Sequence, residues 1–427
     1  MVKFSQIDSK KLKVVLAHNF LGPYGGAEQS LYKIYQMLKS RGHEVFFFGT
    51  DFQPFFEEKM PYATFFPRYT DYDNIKTTAS VTKNLKKPFW NSEAKKKFDQ
   101  FLSVVQPDII HYGSVHWHLS PSVIQSALDF SIPTVMTLRE ARQICPAGTL
   151  LKSGESYCDE LLCVKGGCHN VIKHKCYDKS LVKSLFVAAE FKFRKLHQLF
   201  SKVNQLISPS YALLDLVAMS GEPSKKLNFV PNFLDNVWLN QLAKPSGERK
   251  YFFYAGRLSA EKGIKYLIDA LSQLPEKRPL KIAGHGEALN HLKEQVDALG
   301  LQNWVTFVGQ LNEKELQKAY SEAIATIVPS IWFENFGRTL IEAMACGSPV
   351  IASNLGGMKE IIQDQVTGFL VPPKNSEAIA EAMQRFIQYP DLIEKFASTG
   401  MQSVNNIYSE EIAYKEHIAV YRKALSV

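Results

Sequence analysis

Arg257 and Lys262 lie five positions apart, and Glu334 and Glu342 eight apart, each pair set among small and apolar residues. An arginine can grip two phosphate oxygens at once, and a lysine adds a mobile point charge. Residues 255–263, Ala-Gly-Arg-Leu-Ser-Ala-Glu-Lys-Gly, therefore read as a cradle for a diphosphate. Amide N–H groups and the partial positive charge of the helix expected to follow would complete it. Were residues 334–342 helical throughout, the two carboxylates would stand about 12 Å apart and within about 80° of each other around the axis. That spacing suits the two hydroxyl-bearing ends of a nucleotide sugar, with Asn335, Phe336 and Gly337 offering backbone amides to its oxygens. The bland reading makes the cations a solvated surface, Glu334 a helix-entry acid and Glu342 a solvated helix acid. Convergence of the two motifs favours a site.

Other chemistry-bearing groups are less specific. Gly22-Pro23-Tyr24-Gly25-Gly26 joins a strand to a helix, but a dinucleotide fingerprint needs G-x-G-x-x-G, so a nicotinamide dehydrogenase is disfavoured despite Asp51 closing the next strand. Gly25 and Gly26 form either a tight turn or a close approach to an anion at the helix N-terminus. His111, His116 and His118 lack a nearby carboxylate to complete a metal set; His116 and His118 are read as acceptor-side contacts or packing. Five of the six cysteines crowd between positions 145 and 176. Cys158, Cys163, Cys168 and Cys176 are the candidate structural zinc ligands, with free thiols or disulfides as the alternatives.

Positioning these groups takes alternating strands and helices. Short apolar runs at residues 14–17, 45–48, 109–110, 134–138, 205–207, 251–255, 280–283, 304–307, 325–328 and 349–352 read as strands. Leu31, Ile34, Tyr35 and Leu38, and again Ile264, Leu267, Ile268 and Leu271, recur at helical spacing. The pattern predicts two α/β halves with parallel sheets covered on both faces, joined near Val230-Pro231-Asn232-Phe233. In such sheets ligands sit outside the carboxyl ends of the strands. The formal charge of +8 on 427 residues is modest, and the 45% hydrophobic content excludes a disordered or fibrous chain. No stretch approaches the ~18 apolar residues of a membrane span, and residues 1–13 do not resemble a secretory signal, so a cytoplasmic protein is expected.

Glu334-x7-Glu342, Gly256-Arg257-Leu258 with Glu261-Lys262-Gly263, and Gly347-Ser348-Pro349 leading to Gly356-Gly357 and Glu360 resemble the retaining glycosyltransferases of family four. Those enzymes have the GT-B architecture, α/β with two Rossmann-like domains facing across a cleft. Gly25-Gly26-Ala27-Glu28, Pro231-Asn232 and the late turn Thr367-Gly368-Phe369 extend the resemblance along nearly the whole chain. It implies Glu342 on the nucleotide ribose, Arg257 and Lys262 on the diphosphate, Gly284 beside the base, Gly25 and Gly26 at the donor, and Glu334 with the Asn335-Phe336-Gly337 turn on the donor sugar. It implies no metal for transfer, because Arg257 and Lys262 supply the positive charge. Where such enzymes place a His in a Thr-Leu-His-Asp setting, this chain has Thr137-Leu138-Arg139-Glu140. Arg139, always protonated, would meet an acidic sugar or acceptor, or pair with Glu140 or Glu334. Glu334, Arg257, Lys262 and Arg139 are the catalytic candidates.

The expected domains are residues 1–235, receiving the acceptor and carrying a Cys-rich insertion at about 140–180, residues 236–405, binding the nucleotide sugar, and a terminal helix, 406–427, packing back on the first. The expected activity is a retaining hexosyl transfer from a nucleotide diphosphate sugar to a sugar or lipid-linked acceptor hydroxyl, in polysaccharide, lipopolysaccharide or glycolipid synthesis. The alternative is a non-catalytic nucleotide-sugar-binding protein or partner subunit. Basic residues at Lys83, Lys86, Lys87 and Lys95 to Lys97, and between Lys173 and Lys202 with aromatics interspersed, suggest an anionic membrane surface as a peripheral partner. No nucleic-acid module accompanies them.

Overall fold

Parallel strands buried on both faces need continuous apolar runs rather than alternation, and the chain supplies them. The computed structural model describes residues 11–22, 25–52, 54–56, 60–72, 85–153, 156–242 and 249–426; Pro23, Tyr24, Lys83 and residues 1–10 lie outside that set. The first half contains β1 (Lys13–Ala17), β2 (Glu44–Phe48), β3 (Ile109–Tyr112), β4 (Thr134–Thr137), a small hairpin of β5 (Leu151–Lys152) and β6 (Ser156–Tyr157), then β7 (Gln205–Ser208) and β8 (Leu227–Phe229). The second half contains β9 (Tyr251–Ala255), β10 (Leu280–Ala283), β11 (Val305–Gly309), β12 (Ala323–Val328), β13 (Val350–Ser353) and β14 (Gly368–Val371).

Two six-stranded sheets result, ordered β2-β1-β3-β4-β7-β8 and β11-β10-β9-β12-β13-β14, with every pairing in both of them parallel. The molecule is therefore α/β with two Rossmann-like sheets. All six residues of β12 are buried, as a central strand covered on both sides requires. Edge strands β8 and β14 were not anticipated, and Thr367-Gly368-Phe369, expected as a turn, instead leads into β14.

The helices bury the stripes their periodicity marks: Leu31, Ile34, Tyr35 and Leu38 in Gly26–Ser40, and Ile264, Leu267, Ile268 and Leu271 in Ile264–Gln273. The last helix, Glu410–Leu425, leaves the second half and packs on the first sheet. Its Tyr421 hydroxyl lies 2.8 Å from His111 Nδ1, Tyr414 3.0 Å from His43 Nε2, and Glu410 accepts from Arg41 at 2.6 Å. Leu234 in the outgoing connection forms a parallel bridge with Ser409 in the returning one, and its N–H donates to Tyr408 O at 3.0 Å.

Candidate functional site

In the second sheet the crossovers run to opposite sides of β9, so a crevice opens beyond the carboxyl ends of β9 and β12. The loops that follow those strands hold the cation and acid motifs. They line a cavity of about 600 Å³ with Arg257, Lys262, Gly284, Glu334, Gly337 and Arg338, closed from the first half by Gly25 and Gly26. A second cavity of about 210 Å³ adjoins it, lined by Ser30, Lys33, Arg139, Asn232, Phe333 and Asn335 among others. Gly26, Glu334, Gly337 and Arg338 line both, so the two compartments meet there.

Lys262 Nζ stands 2.5 Å from Glu334 Oε1, which also accepts from Ser330 Oγ at 2.9 Å. The ammonium lies 5.1 Å from the centre of the Trp332 ring, a cation–π contact. Burial alone would push the Glu334 carboxyl up, but the Lys262 charge and hydrogen bond outweigh it and hold the group below the ordinary glutamate value. Lys262, expected at the start of the following helix, instead ends a short 3₁₀ turn, Ala260–Lys262, and Gly263 caps the helix behind it. Arg257 is 60% exposed and donates to Glu261 at 2.8 Å, an arm at the rim.

Gly284 explains why two loops can approach so closely. It has φ +128°, and a Cβ there would lie 1.9 Å from Gly256 O. Gly284→Ala is expected to cost about 2–3 kcal/mol, read as a drop in thermal midpoint, with a parallel loss of nucleotide affinity. Retained stability would contradict the close approach.

Several expectations need correction. Residues 329–337 are not helical; the helix is Arg338–Ala345, begun by Gly337 at φ +88°. The helical separation assumed for Glu334 and Glu342 therefore does not apply. Glu342 is not among the residues lining either cavity: its carboxylate accepts from Arg338 Nε at 2.7 Å and the Tyr320 hydroxyl at 3.4 Å. Phe336 is 6% exposed and packs edge-on to Tyr408, so its ring is a core group. The side chain of Asn335 spans the two halves. Its Nδ2 donates to Leu138 O at 2.9 Å, and its Oδ1 accepts from Ser210 Oγ at 2.8 Å. Among the described residues no hydrogen bond takes the backbone N–H of Asn335, Phe336 or Gly337, which leaves the amide part of the expectation standing.

Asn335 thus ties the halves together, and Glu360 does the same by accepting from the N–H groups of Tyr211 and Ala212 at 2.8 and 2.6 Å, at the start of the helix Tyr211–Met219. Asn335→Ala is expected to remove about 1 kcal/mol from the closed arrangement. Small-angle scattering should show a larger radius of gyration without loss of helical signal; an unchanged radius would mean the contact does not hold the halves.

Arg139 follows β4 into the smaller cavity and pairs with neither proposed acid, because Glu140 is taken by Arg142 at 2.9 Å and Glu334 by Lys262. Its Nη1 instead donates to Ser30 Oγ at 2.7 Å and Asn232 Oδ1 at 3.1 Å. Ser30 and Asn232 were not singled out for a role; neither residue type signals one, and only the fold brings them to β4.

His116 is 7% exposed, with its ring against Phe200, and His118 lies among Phe20, Tyr69 and Tyr72. Neither lines the compartments described above, so the acceptor-side expectation is not met by their positions. The Cys-rich insertion gathers Cys145, Cys158, Cys163 and Cys176 around one small pocket and leaves Cys168 out of it. Cys145 thus takes the place expected of Cys168. All six cysteines are unpaired thiols, and among the described residues no three His, Cys, Asp or Glu side chains are arranged to hold a metal ion. The expected set of Cys158, Cys163, Cys168 and Cys176 is thus not gathered as four ligands here.

Two Rossmann-like domains with a cleft at their facing carboxyl ends define the GT-B architecture. Residues 238–402 match the family model described as Glycosyl transferases group 1. An uncharacterized glycosyltransferase of Methanocaldococcus jannaschii is 35% identical over 182 residues, 42% of this chain and 46% of that protein. The alpha-D-kanosaminyltransferase of Streptomyces kanamyceticus is 30% identical over 179 residues, 41% of this chain and 46% of that protein. The chain thus spans about half the length of the curated relatives it matches. The sucrose-phosphate synthase structure of Thermosynechococcus elongatus superposes with a TM-score of 0.70 at 19% identity, covering 97% of this chain and 99% of that one. HepE of Anabaena in complex with UDP-glucose superposes with a TM-score of 0.65, also at 19% identity, over 95% and 98%.

Proposed function

We propose that the protein transfers a hexose from a nucleotide diphosphate sugar to an acceptor hydroxyl with retention of configuration, in the synthesis of a polysaccharide, lipopolysaccharide or glycolipid. The observation that carries this reading is the Lys262–Glu334 pair at the junction of the two compartments. The larger is sized for a nucleotide diphosphate and the smaller for a sugar ring and an approaching hydroxyl. A diphosphate entering beside Lys262 and Arg257 draws the ammonium toward itself and frees Glu334 to accept hydrogen bonds from donor hydroxyls. As the bond from the anomeric carbon to the phosphate oxygen breaks, these cations stabilise the departing charge. The acceptor oxygen bonds to the same face of that carbon, and its proton passes to the leaving phosphate.

Incubation with UDP- and GDP-sugars, followed by mass spectrometry of products and NMR of the anomeric proton, tests this reading. Products with inverted configuration would remove retention, and neither transfer nor slow donor hydrolysis would leave the alternative, a nucleotide-sugar binder without turnover. Arg139 in the smaller compartment is the observation that favours that alternative.

We further propose that the protein works peripherally on an anionic membrane from the cytoplasmic side, reaching a lipid-linked acceptor there. No helix of the described residues is long and apolar enough to cross a membrane. The helix Leu181–His197 exposes Val182 (77%), Leu185 (56%) and Leu196 (72%) near Lys183, Lys192 and Lys195. Phe193 on the same helix meets Phe89 beside Lys86, Lys87 and Trp90, extending the patch. Such a face suits an interface of acyl chains and acidic headgroups. Val182→Glu with Leu185→Glu is expected to cut sedimentation with phosphatidylglycerol vesicles at least about tenfold. Equal sedimentation of the variant would refute the surface.

A further inference from the structure

Within the smaller compartment the acids are already committed: Glu334 to Lys262, Glu140 to Arg142, and Asp235, beside it, to Lys33. Arg139 makes no contact ion pair among the described residues. Only neutral oxygens, those of Ser30 and Asn232, accept from it, and its buried Nε has no hydrogen-bond partner. Glu28 acts on it electrostatically from beyond ion-pair contact, and burial pushes that carboxyl toward the neutral form. A guanidinium taken out of water with an unused donor is costly unless a ligand completes its shell. Ser30 and Asn232 both pin Nη1, which fixes the plane of the fork and therefore the direction from which an anion can meet it.

We propose that Arg139 is a specificity residue for negative charge: the group bound in the smaller compartment carries a carboxylate or phosphate, on the transferred sugar or on the acceptor. This rests on the transferase reading above. A neutral hexose there would leave the guanidinium uncompensated, so charge on the substrate is selected rather than merely tolerated.

The test compares ratios within each protein, so that any loss of folded material in the variant cancels. One arm measures affinity for UDP-glucuronate against UDP-glucose, and GDP-mannuronate against GDP-mannose, by calorimetry. The other measures stimulation of donor turnover by glucose 6-phosphate and glycerol 3-phosphate against glucose and glycerol. The wild type is expected to prefer the charged member of one arm by about tenfold or more, and Arg139→Gln to lose that preference while Arg139→Lys keeps part of it. Preference in the first arm places the anion on the donor sugar; preference in the second places it on the acceptor. Equal treatment of charged and neutral partners by the wild type, or a preference unchanged in Arg139→Gln, overturns the proposal. Failure to bind UDP or GDP at all would instead overturn the transferase reading, and the proposal with it.

Discussion

Lys262→Ala is expected to lower kcat/KM for a nucleotide-sugar donor by about 10²–10³-fold, with most of the loss in donor affinity. The residue has two partners in the cycle, Glu334 before the donor enters and the diphosphate afterwards, and alanine serves neither. Removing it also strands Glu334 in a buried position where Ser330 is a neutral neighbour. Burial, the largest influence on the carboxyl, is then opposed only by the neutral donors Ser330 and Trp332, so its proton affinity rises instead of falling. In the wild type the depressed value contributes stability that is present above the ordinary glutamate pKa and lost as pH falls through the lower folded value. In Lys262→Ala that contribution changes sign. Because the carboxyl can neutralise itself by taking a proton, the stability loss should be smaller than the binding loss. Lys262→Arg keeps the charge but not its compact geometry over Trp332, and should recover only part of the affinity. Calorimetry with UDP and GDP reads the result directly, and an unaltered dissociation constant in Lys262→Ala would dismantle the pocket.

The second large effect is acid lability. Six histidines are held below the ordinary value, His18 at about 3, His118 and His417 at about 4, His111 and His116 well below it and His43 less so; all but the half-buried His118 are buried. Burial is the main cause in each. Cationic neighbours add to it, Arg139 at His18, His111 and His417, Lys87 at His118, and Arg194 and Arg142 at His116. The sign follows from where protons bind. The folded chain keeps these rings neutral while the unfolded chain protonates them near 6.5, so stability is complete above that value and lost as pH falls toward the folded values. Each ring costs up to about 1.4 kcal/mol per pH unit, and a domain holds only about 5–15 kcal/mol in all. Urea denaturation should therefore show stability falling steeply between pH 6.5 and 5, before the carboxylate pairs titrate. A flat profile across that window would show that the rings are not held neutral.

The fold was largely legible because buried parallel strands leave apolar runs that stand out against polar loops, as at residues 251–255 and 280–283. The edge strands were less so: Leu227–Phe229 is short and mixed, and Gly368–Val371 begins with the residue type that usually signals a turn. At the site, Arg257, Lys262, Gly284 and Glu334 were legible from strand-loop-helix order, since a switch point collects whatever follows its strands. The spacing of Glu334 and Glu342 was misread because eight residues fix a direction only if the whole segment is helical, and here the first half is not. The role of Ser30, and of Asn232 beyond its place in the Pro231-Asn232 motif, was hidden for a different reason. Their importance lies in a third residue, Arg139, which only the closed tertiary arrangement brings to them. Cys145, not counted in the expected zinc set, joins Cys158, Cys163 and Cys176 only through the fold.

The Leu234–Ser409 bridge has a mechanical consequence. The chain passes between its halves twice, and the two passages run side by side and bonded, so they act as a single hinge line instead of a loose tether. The halves can swing about that line, as a book opens at its spine, while sliding or twisting would have to break the bridge. Asn335 and Glu360 lie away from the spine as clasps, so substrate admission reduces to one angular coordinate.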